Sequence, residues 1–277
     1  EEDLELERQL KLLNKPAIKT IVENGDIFDC VDIYKQPAFD HPSLKDHKLQ
    51  HTPYNSKDNK YLGASAFITV YGHPQLTSTQ FTSSLIFVEN DLNPDGSNII
   101  KVGWTRDDFH GTGCIDIRCP GFVQVNKEMP LGANISPLSV YNGVQYGMNF
   151  LLLRQDTSTS NWWLILKDDL KSIGYWPKEI FTTMSDHANW LSFGGVAGYY
   201  GTDSKMPPMG SGHFPFEGVN KSCVFVKVKN INTNSEWVDL PPKDVSPNSH
   251  SQCYGLGSFI DTKTSYGNMF YFGGPGG

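Results

Sequence analysis

The part of the chain after residue 60 is built from short apolar runs separated by residues that favour turns. The first run, residues 66–71, alternates and places Phe67, Thr69 and Tyr71 on one face. Runs of this length and pattern predict β-strands that bury one face. Similar runs span residues 84–89, 121–125 and 224–229. With 26 glycines and 17 prolines available for turns, the pattern predicts an all-β fold, an antiparallel β-sandwich.

Two further segments after residue 60 have a clear local pattern. Residues 149–154 and 162–167 are apolar and flank a turn-rich stretch, which predicts a β-hairpin. Pro177 begins a segment that carries Ile180, Phe181 and Met184. Because proline suits the first position of a helix, we predict one short helix there.

The first 60 residues have a different character. Residues 1–15 place leucines at positions 6, 10 and 13, which is one apolar stripe of a helix. Two strands, over residues 17–22 and 27–34, flank an Asn-Gly pair that favours a hairpin turn. Residues 36–60 are polar and lack periodicity. We therefore predict a small N-terminal pro-segment (one helix plus a hairpin) with a linker over residues 1–60, and the sandwich over residues 61–277.

Charge and hydropathy exclude two classes of partner. The formal net charge is −7, and no basic stripe of the kind that binds nucleic acid is present. No apolar run reaches the roughly 18 residues that a membrane-spanning helix needs. We therefore expect neither a nucleic acid nor a membrane as partner. The sequence starts at Glu1 without methionine, which fits a removed signal peptide or a trimmed chain.

Cysteines and glycosylation sequons favour the secretory pathway. Cys114 and Cys119 lie close together without histidines at metal-ligand spacing, so a short disulfide loop is favoured over a metal site. A second bridge is expected between Cys223 and Cys253, with Cys30 left over. The sequons begin at Asn134 and Asn220. Together these features indicate an oxidising, extracellular environment.

No motif among the residues alone identifies a catalytic site. A nucleotide-binding glycine loop, a zinc-protease helix motif and a serine-hydrolase elbow are all missing from the sequence. Ser211 and His213 lie two residues apart, but no nearby acid orients the histidine. Glu217 is an isolated acid in an aromatic loop, where burial would raise its pKa. A loop carboxylate bonded to the backbone is the simpler interpretation of Glu217.

Several long motifs nevertheless resemble one family in sequence and order. The segment 30–42, CVDIYKQPAFDHP, is similar to the activation-peptide motif of the neprosin family. This is a family of secreted glutamic prolyl endopeptidases of plants. Further similar motifs are GC at 113–114, CPGFVQ at 119–124, NWWL at 161–164, GYWP at 174–177, MGSGHFP at 209–215 and FGGPG at 272–276. The resemblance covers nearly the whole chain.

The resemblance implies a fold, a location and an activity. Members are secreted zymogens with a β-sandwich peptidase domain that cleaves after proline at acid pH, without a metal or other cofactor. Two glutamates carry out the reaction. One activates a water as general base, and the other, kept protonated, polarises the scissile carbonyl.

The sequence departs from the family at both glutamates. The family motif Glu-Ala-Gly-Trp is replaced by Lys101-Val102-Gly103-Trp104. The motif Trp-Gly-Gly-Glu is replaced by Phe193-Gly194-Gly195-Val196. Lys101 and Val196 thus occupy the two catalytic positions. The stretch between the activation-peptide motif and the sandwich is also shortened, which leaves Cys30 without its family partner.

These replacements predict a non-catalytic homologue that retains a peptide-binding cleft. Proline-containing peptides or cell-wall glycoproteins are its expected ligands, and Trp104, Trp163, Trp176 and Glu217 are candidate cleft residues. Core packing is the competing interpretation of the tryptophans. Two alternatives stay open. One is an active acid-pH peptidase that uses another carboxylate such as Glu217, and the other is a structural cell-wall or storage protein.

Overall fold

The computed structural model describes a defined subset of the chain, and the account below refers to that subset alone. It comprises residues 19–23, 26–30, 52–55, 60–90, 98–106, 121–126, 128–129, 131–154, 159–167, 171–199, 205–240 and 252–277. Within these stretches all paired strands are antiparallel and no segment is α-helical, which confirms the all-β class. They contain no helix with the length and apolar character needed to cross a bilayer.

The strands are short and follow one another at turn-separated intervals, as the alternating runs predict. Numbered along the chain, they are β1 (Lys19–Glu23), β2 (Asp26–Cys30), β3 (Thr52–Asn55), β4 (Gly63–Thr69), β5 (Gln80–Asn90), β6 (Asn98–Arg106), β7 (Val123–Gln124), β8 (Gly147–Arg154), β9 (Trp162–Leu166), β10 (Lys171–Trp176), β11 (Trp190–Tyr199), β12 (Cys223–Ile231), β13 (Trp237–Asp239), β14 (Gly255–Leu256), β15 (Ile260–Asp261) and β16 (Asn268–Gly273).

Two sheets form the sandwich. The larger sheet has the order β14, β16, β12, β4, β8, β9, β10 and β7, with β13 beside β12 and β15 beside β16. The smaller sheet has the order β3, β11, β5 and β6. The central pair β5 and β11 runs in register from Trp190 opposite Glu89 to Tyr199 opposite Gln80, without a bulge. This pair is the rigid element on which the candidate site is built.

The N-terminal hairpin is confirmed. β1 and β2 pair from Lys19 opposite Cys30 to Glu23 opposite Asp26, which leaves a two-residue loop at the Asn-Gly pair. The helix predicted over residues 1–15 lies outside the described residues. β3 lies within the predicted linker, yet it pairs with β11 and forms the edge of the smaller sheet. The smaller sheet therefore includes a strand that precedes residue 61.

The core lies between the two sheets and is centred on a group of phenylalanines. Phe225 of β12 is fully buried, with ring centroids 5.1 Å from both Phe270 and Phe272 of β16. Phe193 of β11 meets Phe225 edge-on at 6.1 Å from the opposite sheet. Aromatic pairs at these separations add to the hydrophobic effect of burial. The group therefore joins the two sheets at the centre of the sandwich.

The helix predicted from Pro177 is wrong. The structure has only a single 3-10 turn over Lys178–Ile180, with Pro177 as its N-cap. The next backbone N–H groups, of Thr182 and Thr183, donate instead to Asn98 Oδ1 at 2.8 and 2.7 Å. A side-chain acceptor from β6 therefore competes with helix formation.

Candidate functional site

The positions that the family resemblance marks, Lys101 and Val196, lie on the same face of the smaller sheet. Lys101 of β6 is opposite Phe87 of β5, and Val196 of β11 is opposite Ser83 of β5. Ser83 and Phe87 are four residues apart on one strand, and side chains alternate in direction along a strand. Lys101, Ser83, Phe87 and Val196 therefore all lie on the face directed away from the core.

This outer face is recessed. Phe87 and Ser83 belong to it, yet each is only 5% exposed, and Ser192 is 2% exposed. Leu85, in the row between them, is partly exposed. Buried side chains on an outward-directed face mean that other parts of the chain pack around them, so positions 83, 87 and 192 lie below the protein surface. We call the outer face of β5, β6 and β11 the recessed face.

Leu85 lies at the centre of the recessed face and is flanked by two residues without side chains. Gly103 of β6 and Gly194 of β11 are its direct neighbours on either side. Positions 101 and 196 lie diagonally on opposite sides of Leu85. On a flat sheet they would be about 10 Å apart across the strands and about 13 Å apart along them.

Two glycines of the family-like motifs are required by close packing, Gly103 against the backbone of β5 and Gly195 against side chains of the core. A Cβ at Gly103 would lie 1.9 Å from the carbonyl oxygen of Ser84. A Cβ at Gly195 would lie 2.6 Å from Met209 Cγ and 2.9 Å from Phe272 Cε2. Both glycines therefore fix the strands that carry positions 101 and 196, whichever residues occupy those positions.

The Lys101 side chain is accessible to solvent, but its ammonium is partly surrounded by protein. Its Nζ atom lies 5.9 Å from the centroid of the Phe87 ring. Desolvation lowers the pKa of Lys101, and the nearby charge of Glu89 opposes this shift. The described residues contain no hydrogen-bond or ion-pair partner for this ammonium.

Two of the three tryptophans predicted to line a cleft, Trp104 and Trp176, pack elsewhere. Trp104 is 3% exposed, faces the core, and donates its Nε1–H to the carbonyl oxygen of Thr69 at 3.0 Å. Trp176 of β10 meets Phe122 edge-on at 4.5 Å in the larger sheet. Trp104 therefore ties the two sheets together from the face opposite Lys101, and a ligand on the recessed face does not contact it.

Glu217 is the centre of a separate polar cluster. Tyr141 Oη donates to its carboxylate at 3.0 Å, and His213 Nδ1 lies 3.1 Å from both carboxylate oxygens. The Tyr141 and His213 rings stack at 3.9 Å, and the backbone N–H of Phe214 donates to the same carboxylate at 3.2 Å. We call these side chains the Tyr141–His213–Glu217 cluster. Its histidine is held by an acid, as in a general-base pair.

The pKa of Glu217 shifts in the direction opposite to the sequence-based expectation. Partial desolvation raises it, but the hydrogen bonds from Tyr141, His213 and the Phe214 backbone outweigh this effect, so the pKa is lowered overall. The expectation of a raised pKa fails because the carboxylate has three donors around it. Glu217 is therefore suited to remain ionised at acid pH, as a base would.

Acidification is expected to disrupt this cluster only below pH 4.5, the ordinary pKa of glutamate. A lowered pKa in the folded state means that the contribution of Glu217 to stability is complete above the unfolded-state pKa. That contribution is lost as the pH falls through the folded-state pKa. NMR titration should show the Glu217 and Tyr141 resonances moving together below pH 4.5. Glu217→Gln should abolish the shared transition and Glu179→Gln should not; a midpoint at or above 4.5 would contradict the assignment.

The predicted bridge between Cys223 and Cys253 is wrong, because no disulfide joins the two residues. Cys223 lies at the start of β12, buried, with Sγ 3.2 Å from Thr69 Oγ1. Cys253 precedes β14, and β16 lies between β14 and β12. Two strand spacings, about 10 Å, exceed the roughly 7 Å limit between bridged Cα atoms. Burial raises the pKa of the Cys223 thiol to about 12.

The other predicted sites are the glycosylation sequons, the remaining cysteine pair and the expected lack of a metal site. Asn134 and Asn220, the sequon asparagines, are both exposed. Cys114 and Cys119 lie outside the described residues, so their predicted bridge stays a prediction. Among the residues that the structure describes, no cluster of three or more histidine, cysteine, aspartate or glutamate side chains has the proximity needed to hold a metal ion.

Two protein-family models match this chain. The family model described as Neprosin matches residues 64–275, which include every strand of the sandwich from β5 to β16. The chain belongs to the neprosin family. A second model, described as the Neprosin activation peptide, matches residues 18–108 and so spans the β1–β2 hairpin and continues to the end of β6. The family resemblance of the sequence motifs is thus confirmed.

Sequence reasoning missed the residues that form the recessed face of this neprosin-family sandwich. Ser83, Leu85 and Phe87 lie at alternate positions of one strand, and residues 84–89 of it were predicted as a strand. The strands that would pair with β5 were not, because β11 lies more than a hundred residues further along the chain. Tyr141, which bonds to Glu217, also had no local motif.

Proposed function

We propose that this protein is a non-catalytic neprosin-family protein that binds extended peptides on its recessed face. The observation that carries the proposal is that Lys101 and Val196 lie on opposite sides of Leu85, on the same face of β5, β6 and β11. By family resemblance these are the positions of the two catalytic glutamates. Peptide hydrolysis there needs one group that accepts a proton and another that donates one.

The two replacing side chains do not supply that chemistry. Valine has no ionisable group, so Val196 neither accepts nor donates a proton. Lysine is normally protonated and acts as a base only after a large fall in its pKa. Even a neutral amine at Lys101 would leave the second partner missing. Loss of members of a catalytic unit typically lowers the rate by on the order of 10⁴-fold or more.

The shape of the recessed face suits an extended, proline-containing segment. Gly103 and Gly194 leave the backbone on both sides of Leu85 without side chains. A proline fixes its own φ angle and favours an extended conformation for the residue before it, so a proline-containing segment loses less entropy when it docks as an extended chain. Cell-wall glycoproteins with such segments are the proposed natural ligands. The exposed sequon residues Asn134 and Asn220 support the further proposal that the protein is secreted and glycosylated.

Binding without cleavage is the expected behaviour with a proline-rich peptide at acid pH. Isothermal titration calorimetry should detect binding to the wild type, and mass spectrometry of the same samples should find the peptide intact. Leu85→Arg should weaken binding at least roughly tenfold, because a charged side chain would fill the recessed face. Leu138→Arg, at a residue 40% exposed, is the matched control and should bind as the wild type does. Binding that ignores Leu85→Arg would exclude this face as the site.

The Tyr141–His213–Glu217 cluster supports one alternative, an active peptidase with a different acid. His213 Nδ1 contacts the Glu217 carboxylate at 3.1 Å, which is the arrangement of an oriented general base. In that case the peptide would be cleaved and Glu217→Gln would abolish cleavage. A purely structural wall or storage protein remains the third alternative. It predicts no saturable binding to any peptide.

A further inference from the structure

We propose that Lys101 makes the recessed face selective for peptides that carry a carboxylate side chain two residues from the apolar residue seated over Leu85. This inference rests on the peptide-binding function proposed above and assigns a role to the lysine itself. A residue that replaces a catalytic residue can have a binding function of its own. Here the replacement introduces a positive charge into a face whose side chains next to Leu85 are apolar or carry a hydroxyl group, with Glu89 as the acid further along β5.

The first support is the position of the ammonium. Lys101 lies in the row of Phe87, and Leu85 lies two residues further along β5. Alternate residues on a strand are about 6.6 Å apart, and the same spacing holds for an extended peptide aligned with the strands. A peptide residue over Leu85 therefore puts the residue two positions away near Lys101, with its side chain on the same side.

The second support is that no residue in the described part of the chain forms a hydrogen bond or an ion pair with this ammonium. Nζ of Lys101 contacts the Phe87 ring face, and no described residue accepts a hydrogen bond from it. Glu89 of β5, the strand that carries Phe87, is the nearby acid. Its charge acts on Lys101 without an ion-pair contact within 4 Å. A partly desolvated charge without a bonded partner is stabilised when a ligand brings the opposite charge. A carboxylate would also restore hydrogen bonds that desolvation has removed.

The Ser83 hydroxyl on this face does not compete with the lysine for an anion. Ser83 Oγ donates to Thr105 Oγ1 at 2.8 Å, so that donor is already used. Val196 contributes no polar atom at the opposite corner. The only cationic side chain that the strand register places on the described part of the recessed face is Lys101. Charge selection is therefore concentrated at one residue.

The test uses three synthetic proline-containing peptides that carry glutamate, glutamine or lysine at both positions two residues from the proline, so that either direction of the peptide brings the variable side chain to Lys101. Fluorescence anisotropy should give the glutamate peptide about a tenfold lower Kd than the glutamine peptide, with the lysine peptide weakest. The preference should shrink at high salt, because screening weakens the ion pair. Lys101→Met keeps an apolar stem of similar length and should bind the glutamate and glutamine peptides equally. Lys101→Glu should reverse the order.

Matched controls separate this inference from the function on which it rests. Lys227→Met removes an exposed lysine from β12 in the larger sheet and should leave the peptide preference unchanged. If the wild type binds all three peptides equally, the charge selection is wrong while peptide binding stands. If Lys227→Met abolishes the preference as Lys101→Met does, the assignment to Lys101 is wrong. If no peptide binds, both proposals fall.

Discussion

Restoring both acids is expected to produce peptidase activity. The double variant Lys101→Glu, Val196→Glu should cleave a proline-containing peptide at acid pH, with a rate about 10²- to 10⁴-fold above that of the wild type. Proton transfer by a positioned side chain typically contributes a factor of this size. The two positions already flank Leu85 on one rigid sheet, and Gly103 and Gly195 hold their backbone. Quantitative mass spectrometry of peptide products over time provides the measurement.

The controls for this variant change one property at a time. The single variants Lys101→Glu and Val196→Glu should remain close to the wild-type rate, because the two acids act as a unit. The double variant Lys101→Gln, Val196→Gln has side chains of nearly the same size that do not exchange protons, and it should be inactive. Equal activity in the glutamine and glutamate pairs would show that cleavage does not depend on acids at these positions.

Truncating the central phenylalanine is expected to have the largest effect on stability. Phe225→Ala should lower the free energy of unfolding by about 3–5 kcal/mol, the range for large aromatic truncations in a core. Phe225 is fully buried and contacts aromatic rings from β11 and β16, so its loss leaves a cavity between the sheets. Urea denaturation followed by tryptophan fluorescence should report the change as a shift in midpoint.

A matched aromatic truncation tests whether burial is the cause. Phe216 is 84% exposed, and Phe216→Ala should change the free energy of unfolding by no more than about 0.5 kcal/mol. Both variants remove the same side chain from the same protein. A similar loss in the two variants would mean that the Phe225 group does not anchor the sandwich as its packing indicates.

The parts of the fold that depend on neighbouring residues could be predicted from the sequence. The β1–β2 hairpin follows from an Asn-Gly pair, and the β8–β9 hairpin follows from two apolar runs around a turn. β5 was recognisable because residues 85–88 form a short apolar run between polar residues. β11 was not predicted as a strand, because glycines at 194, 195 and 198 lower the local preference for strand structure. Pairing with β5 and close packing of Gly195 against Met209 stabilise β11 as a strand.

The candidate site depended on non-local pairing and could be predicted only in part. Family motifs marked positions 101 and 196, but the register of β5 with both neighbours is what puts them on one face. The same register turns Trp104 toward the core, although it is three residues from Lys101. The helix prediction after Pro177 was wrong for a similar reason. The backbone of this segment donates to Asn98, which is about 80 residues earlier in the chain. Such contacts have no local signal in the chain.

The most direct test of the proposed function is product formation by the purified wild-type protein. A proline-rich peptide is incubated with it across the pH range 3 to 7, beside the Lys101→Glu, Val196→Glu variant and the Glu217→Gln variant. We predict an intact peptide with the wild type at every pH, and cleavage only with the double glutamate variant. Wild-type cleavage after proline that disappears in Glu217→Gln would contradict the account and identify a working peptidase.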